Sequence, residues 1–260
     1  MLVAENITLL RGGHPIIDGV GIDARPGSML VILGPNGAGK TSLLKVLSGE
    51  WAPDSGRVLL NNRPLSSWPP LELARVRAVL PQESHLAFSF TVEEVVLLGR
   101  TPHAAAGGDP MGRAIALETL TLMEIESQAD RLYTSLSGGE KQRVQLARVL
   151  TQVWDPPKGK NAVILLDEPT ASLDLSFQFK ILGIARDLAA RGAAVVAVLH
   201  DLNLAAAYAD DLLFLQDGRV VARGSPRDTI EPGLVAEVFG VRAEVFENNG
   251  RLRVVTYPMD

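Results

Sequence analysis

Hydrophobic residues recur along the chain with two spacings, which together predict strands alternating with helices. Compact apolar runs bounded by turn residues predict strands within residues 1–33 and over 57–60, 78–80, 162–166 and 194–199. Apolar positions three and four apart predict helices over residues 42–47, 111–123, 138–154, 176–191 and 202–208. Asp217-Gly218 and Asn249-Gly250 predict the turns of two hairpins. This alternation is typical of an α/β fold.

The block from residue 82 to residue 154 differs from the sequence on either side. Helical patterns dominate it, and an early one opens at Thr91, an N-cap residue with Glu94 three positions later. By contrast, residues 162–166 and 194–199 are apolar throughout, as in strands buried on both faces of a parallel sheet. We therefore expect one domain, with a core of residues 1–81 and 155–260 and a helical subdomain inserted at about 82–154.

The strongest chemical motif is a glycine loop between a predicted strand and a predicted helix. It runs Gly34-Pro35-Asn36-Gly37-Ala38-Gly39-Lys40-Thr41 and matches the pattern G-x-x-x-x-G-K-T. Glycine lets backbone N–H groups turn inward around a phosphate, and the N-terminal end of the following helix adds positive potential. We expect Lys40 to reach the β- and γ-phosphates and the Thr41 hydroxyl to bind Mg²⁺. The alternative is a glycine turn that binds nothing, and the flanking strand and helix argue against it.

Two carboxylates, Asp167 and Glu168, directly follow the apolar run that begins at residue 162. A carboxylate at a strand end beside a phosphate loop can hold Mg²⁺ through water, which is the expected role of Asp167. Glu168 can accept a proton from the attacking water or orient it. Taken alone, these residues would be a charged strand end that enters solvent. The phosphate loop in the same chain favours the functional interpretation.

Leu136-Ser137-Gly138-Gly139-Glu140 is a second element suited to an anion, because a serine and two glycines open a predicted helix. Taken alone, an ordinary helix cap would be favoured. One γ-phosphate does not obviously use two such elements from a single chain. The phosphate loop and residues 136–140 could bind the same phosphate if each came from a different chain of a dimer.

Composition narrows the class of protein further. The chain has 260 residues, a formal net charge of −5 and no cysteine, so disulfides, thiol catalysis and cysteine-bound metal are excluded. The acidic balance argues against nucleic acid as a partner. The first residues lack a signal-peptide pattern, and no apolar run approaches the roughly 20 residues that cross a bilayer. We expect a cytoplasmic protein that reaches a membrane only through a partner.

In chain order, these elements together with Gln82, Ser172-Leu173-Asp174 and His200 resemble the nucleotide-binding domain of ABC transporters. The resemblance covers nearly the whole chain, and LSGGE combined with a phosphate loop is highly specific to that family. It implies an α/β P-loop NTPase with an ABC-type RecA-like core, an antiparallel β subdomain and an inserted helical subdomain. It also implies ATP and Mg²⁺ as ligands and a head-to-tail homodimer. In that dimer, Ser137, Gly138 and Gly139 of one chain cover the ATP that lies on the other chain's phosphate loop.

The resemblance also implies roles for single residues. Gln82 would sense Mg²⁺ and the attacking water, and Asp174 would communicate across the dimer. His200 would contact the γ-phosphate and position the water together with Glu168. Many members of the family stack adenine on an aromatic residue where this chain has Arg11. A guanidinium plane can also stack on a base, so contact between Arg11 and adenine is an expectation that departs from the family pattern.

A single cassette without a membrane span resembles a bacterial importer subunit. Residues 80–96, 99–103 and 199–205 resemble the group that powers iron-siderophore, cobalamin and hemin import, and within it the hemin importers. The implied partners are two transmembrane permease subunits and, indirectly, a periplasmic substrate-binding protein. The implied location is the cytoplasmic face of the inner membrane. No direct contact between this chain and heme is expected.

Two alternatives remain open at this point. The first is an ATPase for siderophore or cobalamin import, because no residue of this subunit would touch the transported substrate. The second is a soluble ABC ATPase of DNA repair or translation. Such proteins usually carry two cassettes, a long coiled coil or zinc-binding cysteines, and this chain has none of these features.

Overall fold

The computed structural model describes residues 1–82, 89–104, 108–157 and 159–259. Part of the stretch at 80–96 that resembles the importer group, residues 83–88, lies outside the described residues. The strands are β1 (Leu2–Arg11), β2 (His14–Ala24), β3 (Met29–Leu33), β4 (Ser55–Leu60), β5 (Arg63–Pro64), β6 (Arg77–Leu80), β7 (Val163–Asp167), β8 (Ala194–Val198), β9 (Asp211–Gln216), β10 (Arg219–Gly224), β11 (Arg242–Asn248) and β12 (Arg251–Tyr257). The α-helices are α1 (Lys40–Ser48), α2 (Pro70–Ala74), α3 (Val92–Leu97), α4 (Gly112–Leu122), α5 (Gly138–Gln152), α6 (Leu175–Ala190), α7 (Leu202–Tyr208), α8 (Pro226–Thr229) and α9 (Pro232–Phe239).

The central sheet has six strands in the order β10-β9-β3-β8-β7-β6. All neighbours are parallel except the β9–β10 hairpin. Every residue of β3, β7 and β8 is buried, as their continuous apolar sequences predict. Because the three strands are adjacent and parallel, the segments that follow them emerge at one edge of the sheet. Ligands of open α/β sheets bind at such an edge.

A second sheet, in the order β2-β1-β4-β5, is antiparallel and packs beside the first. Successive residues of β3 show how the two layers share the central strand. Met29, Val31 and Leu33 belong to the apolar core that contains helices α3 to α6. Leu30 and Ile32 belong to the core beneath α1 and the antiparallel sheet. Since side chains alternate across a strand, β3 is apolar on both faces and fixes the phosphate loop between two cores.

Helices α3, α4 and α5 lie between β6 and β7 in the chain, within the block predicted to be a helical subdomain. Thr91 and Glu94 form the predicted capping box at the start of α3, with Glu94 N–H donating to Thr91 Oγ1 at 3.2 Å. Side chains of this block share one apolar core with β3, β7 and β8. The division of the chain into core and inserted subdomain stays a prediction.

Most of the predicted elements are present with ends shifted by a residue or two. The predicted helix at 138–154 ends at Gln152, and the predicted strand at 57–60 begins earlier, at Ser55. Both hairpins are confirmed, with Asp217-Gly218 joining β9 to β10 and Asn249-Gly250 joining β11 to β12. The sequence interpretation missed α2 and α9, which both begin with a proline in the first turn.

Candidate nucleotide-binding site

The phosphate loop joins the end of β3 to the start of α1, in the middle of the central sheet. Gly39 caps α1 with a φ of 98°, and this cap residue supplies no side-chain acceptor for the first N–H groups of the helix. A Cβ at Gly34 would lie 2.0 Å from the carbonyl oxygen of Leu215, and one at Gly39 would lie 2.7 Å from that of Ile16. Only glycine fits these two positions, and the loop therefore presents backbone N–H groups and a helix N-terminus at one point.

Lys40 lies inside this loop. Its Nζ donates to the carbonyl oxygens of Gly34 and Pro35, both at 2.8 Å, and the residue is only 6% exposed. Burial lowers the pKa of Lys40, while the nearby carboxylates of Glu168 and Asp167 act in the opposite direction. The Lys40 ammonium is therefore partly desolvated, and its hydrogen-bond acceptors are neutral carbonyl groups. A phosphate there would provide the negative charge that it lacks.

Thr41 and Asp167 meet beside the loop, with Thr41 Oγ1 donating to Asp167 Oδ1 at 3.3 Å. Burial raises the pKa of Asp167, because the ionised carboxylate loses its hydration. Both residues line a cavity of about 210 Å³, and Gln82 lines the same cavity. Hydroxyl, carboxylate and amide oxygens are the ligands that Mg²⁺ takes, and a cation would offset the cost of burying Asp167. These residues fit a magnesium ion.

Glu168 and His200 form a pair at the same edge of the sheet. Glu168 directly follows β7, and His200 lies two residues after β8, so neighbouring strands carry them. Glu168 Oε1 and His200 Nε2 are 2.7 Å apart, and the two side chains are 19% and 47% exposed. Glu168 has a φ of 51°, an uncommon backbone conformation for a residue other than glycine. Strained positions of this kind cluster at functional sites.

The loop at Ser137 to Gly139 lies elsewhere on the chain and opens α5. Ser137 caps that helix, and the backbone N–H of Ser137 donates to Glu140 Oε2 at 2.7 Å. This bond, with those from the Ser137 and Gln128 side chains, lowers the pKa of Glu140 to about 2. A Cβ at Gly139 would come within 3.0 Å of the Ser172 carbonyl oxygen. Among the described residues, those lining the cavity beside Thr41 include none of Ser137, Gly138 and Gly139.

Arg11 lies against a residue that the sequence interpretation did not single out. Its guanidinium carbon is 4.5 Å from the centre of the Trp51 ring, and Lys45 Nζ is 4.7 Å from the same ring. Lys45 also lines the cavity beside Thr41. Thr41 and Lys45 are four residues apart on α1, and that spacing could have revealed their shared face. No such signal indicated the contact between Arg11 and Trp51, because Arg11 ends strand β1 and Trp51 follows helix α1.

The described residues contain neither a cluster of metal-binding side chains nor a membrane-spanning helix. No group of three or more His, Cys, Asp or Glu side chains among them could hold a metal ion. A cation here would therefore depend on few protein ligands and on the phosphates of a nucleotide. No helix in the described part of the chain is long and apolar enough to cross a bilayer.

A phosphate loop at the end of β3, with the buried Asp167 beside it and Glu168 next to Asp167 at the end of β7, defines a nucleotide-hydrolysing cassette. A family model described as "ABC transporter" matches residues 17–171, and the chain belongs to that family. It is an ATP-binding, transport-coupled ATPase, which confirms the fold class and the resemblance drawn from the sequence. Importer ATPases of this kind work as dimeric cassettes with a membrane permease.

The relatives place the chain within the family more narrowly. It is 50% identical over 248 residues to the hemin import ATP-binding protein HmuV of Gloeobacter violaceus, covering 95% of this chain and 90% of that one. It is 47% identical to HmuV of Pseudomonas aeruginosa, with 94% of each chain covered. An inward-facing metal-chelate type ABC transporter matches with a TM-score of 0.80 at 26% identity, covering 98% of this chain and 96% of that one. A dimeric bacterial ABC transporter cassette matches with a TM-score of 0.76 at 29% identity, covering 87% and 99%.

Proposed function

We propose that this chain is the ATP-hydrolysing subunit of a bacterial hemin importer, acting at the cytoplasmic face of the inner membrane. The observation that carries the hydrolytic part is the convergence at one sheet edge of Lys40, Thr41, Asp167, Glu168 and His200. The similarity to hemin import proteins along nearly the whole chain supports hemin as the transported substrate.

In the proposed reaction, backbone N–H groups of residues 34–41 and the Lys40 ammonium bind the β- and γ-phosphates of ATP. To do so, Lys40 exchanges its bonds to the Gly34 and Pro35 carbonyls for bonds to phosphate oxygens. Thr41, Asp167 and Gln82 would hold Mg²⁺, which neutralises charge on the phosphates when bound.

Glu168 takes a proton from the attacking water as a general base, or orients that water. His200 Nε2 lies 2.7 Å from Glu168 Oε1. In the proposed reaction, this contact keeps the carboxylate facing the γ-phosphate position, and His200 also contacts the γ-phosphate. Gln82 lines the same cavity and links the state of this site to the helical subdomain. Arg11 contacts the adenine ring, supported by Trp51 behind its guanidinium.

Each site is completed by a second copy of the chain. Ser137, Gly138 and Gly139 open α5 with N–H groups and a hydroxyl suited to a phosphate, yet they do not line the cavity beside Thr41 in the described part of the same chain. In the proposed head-to-tail homodimer, these residues cover the γ-phosphate on the partner chain, and Asp174 communicates across the interface. ATP then stabilises the closed dimer by binding it better than the open one.

The proposed transporter contains two of these chains, two permease subunits and a periplasmic substrate-binding protein that reaches them indirectly. Heme does not touch this chain, and nucleic acid is not a partner, in keeping with the net charge of −5.

The transport proposal is tested on the complex of this chain with its permease in proteoliposomes. We expect hemin-loaded binding protein to stimulate ATP hydrolysis and drive hemin uptake. Stimulation by a siderophore- or cobalamin-loaded binding protein instead would replace hemin with that substrate. Absence of a copurifying permease would contradict the importer function itself.

The composite site is tested by light scattering during size-exclusion chromatography of Glu168→Gln, with and without ATP. We expect a dimer only with ATP, because the variant binds nucleotide but does not hydrolyse it. Adding Ser137→Arg should abolish that dimer by placing bulk and charge at the partner's γ-phosphate. A double variant that still dimerises would make residues 136–140 an ordinary helix cap.

A further inference from the structure

The first turns of α6 expose an apolar pair to solvent. Leu175 is 72% exposed and Phe179 is 51% exposed, whereas Phe177 and Ile181 on the opposite face are buried in the core. Residues four apart lie on one face of a helix, so Leu175 and Phe179 form a continuous apolar ridge. Neither side chain contributes to the core of the chain.

This ridge borders a groove of about 560 Å³. The groove lies between the start of α6, helix α7 and the β11–β12 hairpin, with apolar lining from Leu204 and Leu252. Arginines also line it, at positions 227, 251 and 253. Apolar side chains together with arginines are typical of a protein–protein contact surface.

Two residues that line the groove are next in sequence to residues of the candidate nucleotide site and the proposed dimer contact. Leu175 directly follows Asp174, and Asp201, which lines the groove, directly follows His200. Ser172, two residues before Asp174, lies against Gly139 of the loop that is proposed to cover the partner's ATP. A second chain that docks on residues 137–139 and 172–174 therefore comes within one helical turn of Leu175.

We propose that Leu175 and Phe179, with the adjoining groove, form a second contact surface between two copies of this chain in the ATP-bound dimer. The proposal rests on the composite dimer proposed above and extends its interface beyond the nucleotides. In a two-fold dimer the same patch is present on both chains, so each side chain contributes twice. The contact stabilises the dimer without touching ATP.

A cross-linking experiment tests the position of the surface. The chain has no cysteine, so Phe179→Cys in a Glu168→Gln background introduces a single thiol per chain. With ATP present, we expect a short bismaleimide to link two chains through position 179. The matched control is Leu117→Cys, which replaces another exposed apolar residue, on α4. Linkage at position 117 and none at 179 would overturn the proposal, as would the absence of linkage at 179 in a chain that dimerises with ATP.

A binding measurement tests the contribution of the ridge. In the Glu168→Gln background with saturating ATP, Phe179→Ala should raise the dimer dissociation constant by about tenfold or more, as for an aromatic side chain central to an interface. Leu117→Ala should leave it unchanged, and ATP binding by the monomer should be equal in both variants. If Phe179→Ala and Leu117→Ala dimerise alike, the surface is wrong and the composite site stands. If the Glu168→Gln parent itself stays monomeric with ATP, the composite dimer fails first and the second surface fails with it.

Discussion

Replacing Glu168 with glutamine separates chemistry from structure at this site. Glutamine keeps the length of the side chain and an oxygen that can accept a hydrogen bond from His200, whose Nε2 lies 2.7 Å from Glu168 Oε1. The side chain is 19% exposed and the change removes one charge, so the fold and the phosphate loop should be preserved. What is lost is the basic oxygen that accepts a proton from water.

Loss of a general base should lower the turnover rate by about a hundredfold to ten-thousandfold. At about 1.4 kcal/mol for each factor of ten, the barrier to hydrolysis should rise by about 3 to 5 kcal/mol. Phosphate release by the purified chain measures turnover, and equilibrium dialysis with labelled ATP measures binding, which should be unchanged. Glu118→Gln makes the same chemical change at an exposed position on α4 and should have no effect. Hydrolysis like that of the wild type by a folded, ATP-binding Glu168→Gln chain would refute the role of Glu168.

Four further substitutions test the phosphate loop and one buried ion pair. Lys40→Ala should weaken ATP binding by about tenfold or more, as for loss of a hydrogen bond to a charged group, and equal affinity in dialysis would contradict its role. Gly34→Ala should abolish ATP binding, because the added Cβ would lie 2.0 Å from the Leu215 carbonyl oxygen. The control is Gly37→Ala, whose added Cβ meets no atom within 4 Å. Because Gly37 has a left-handed backbone, this change should lower the free energy of unfolding by only about 1 to 2 kcal/mol. Arg100→Met should lower the free energy of unfolding by about 3 kcal/mol, measured in urea, because Arg100 is 4% exposed and its loss leaves the carboxylate of Asp109 unpaired. An unchanged urea midpoint would show that this ion pair does not stabilise the fold.

Local signals in the sequence were sufficient for most elements and for the phosphate loop. Two of these signals can be read from consecutive residues. They are the glycines of the phosphate loop, such as Gly39, and the apolar runs of strands buried on both faces, such as β7. The capping boxes at Thr91 and Ser137 are also local, since each involves residues three apart. Helix α2 was missed because five residues are too few to show a helical period.

The arrangement of the site depends on which strands are neighbours in the sheet, and no local sequence pattern indicates this. The contact of Glu168 with His200 requires β7 and β8 to be neighbours. The cavity that Gln82 and Thr41 both line requires β6 to belong to the same sheet as β3. The resemblance to a known family supplied these pairings in advance. Composition and spacing alone could not, because strand order is decided by packing across the whole chain.

The position of β3 in the sheet has a consequence for how the protein is made. Both neighbours of β3, β8 and β9, come late in the chain, and the backbone N–H of Met29 is bound by Asp210, 181 residues away. At a synthesis rate of about 5 to 20 residues per second, this strand waits roughly 9 to 36 s for those partners. During that time, a wholly apolar strand has both of its hydrogen-bonding edges open, a state prone to mispairing with other chains. The phosphate loop is thus synthesised well before the strands that hold β3 in place, so a nascent chain that stops before β9 should not bind ATP.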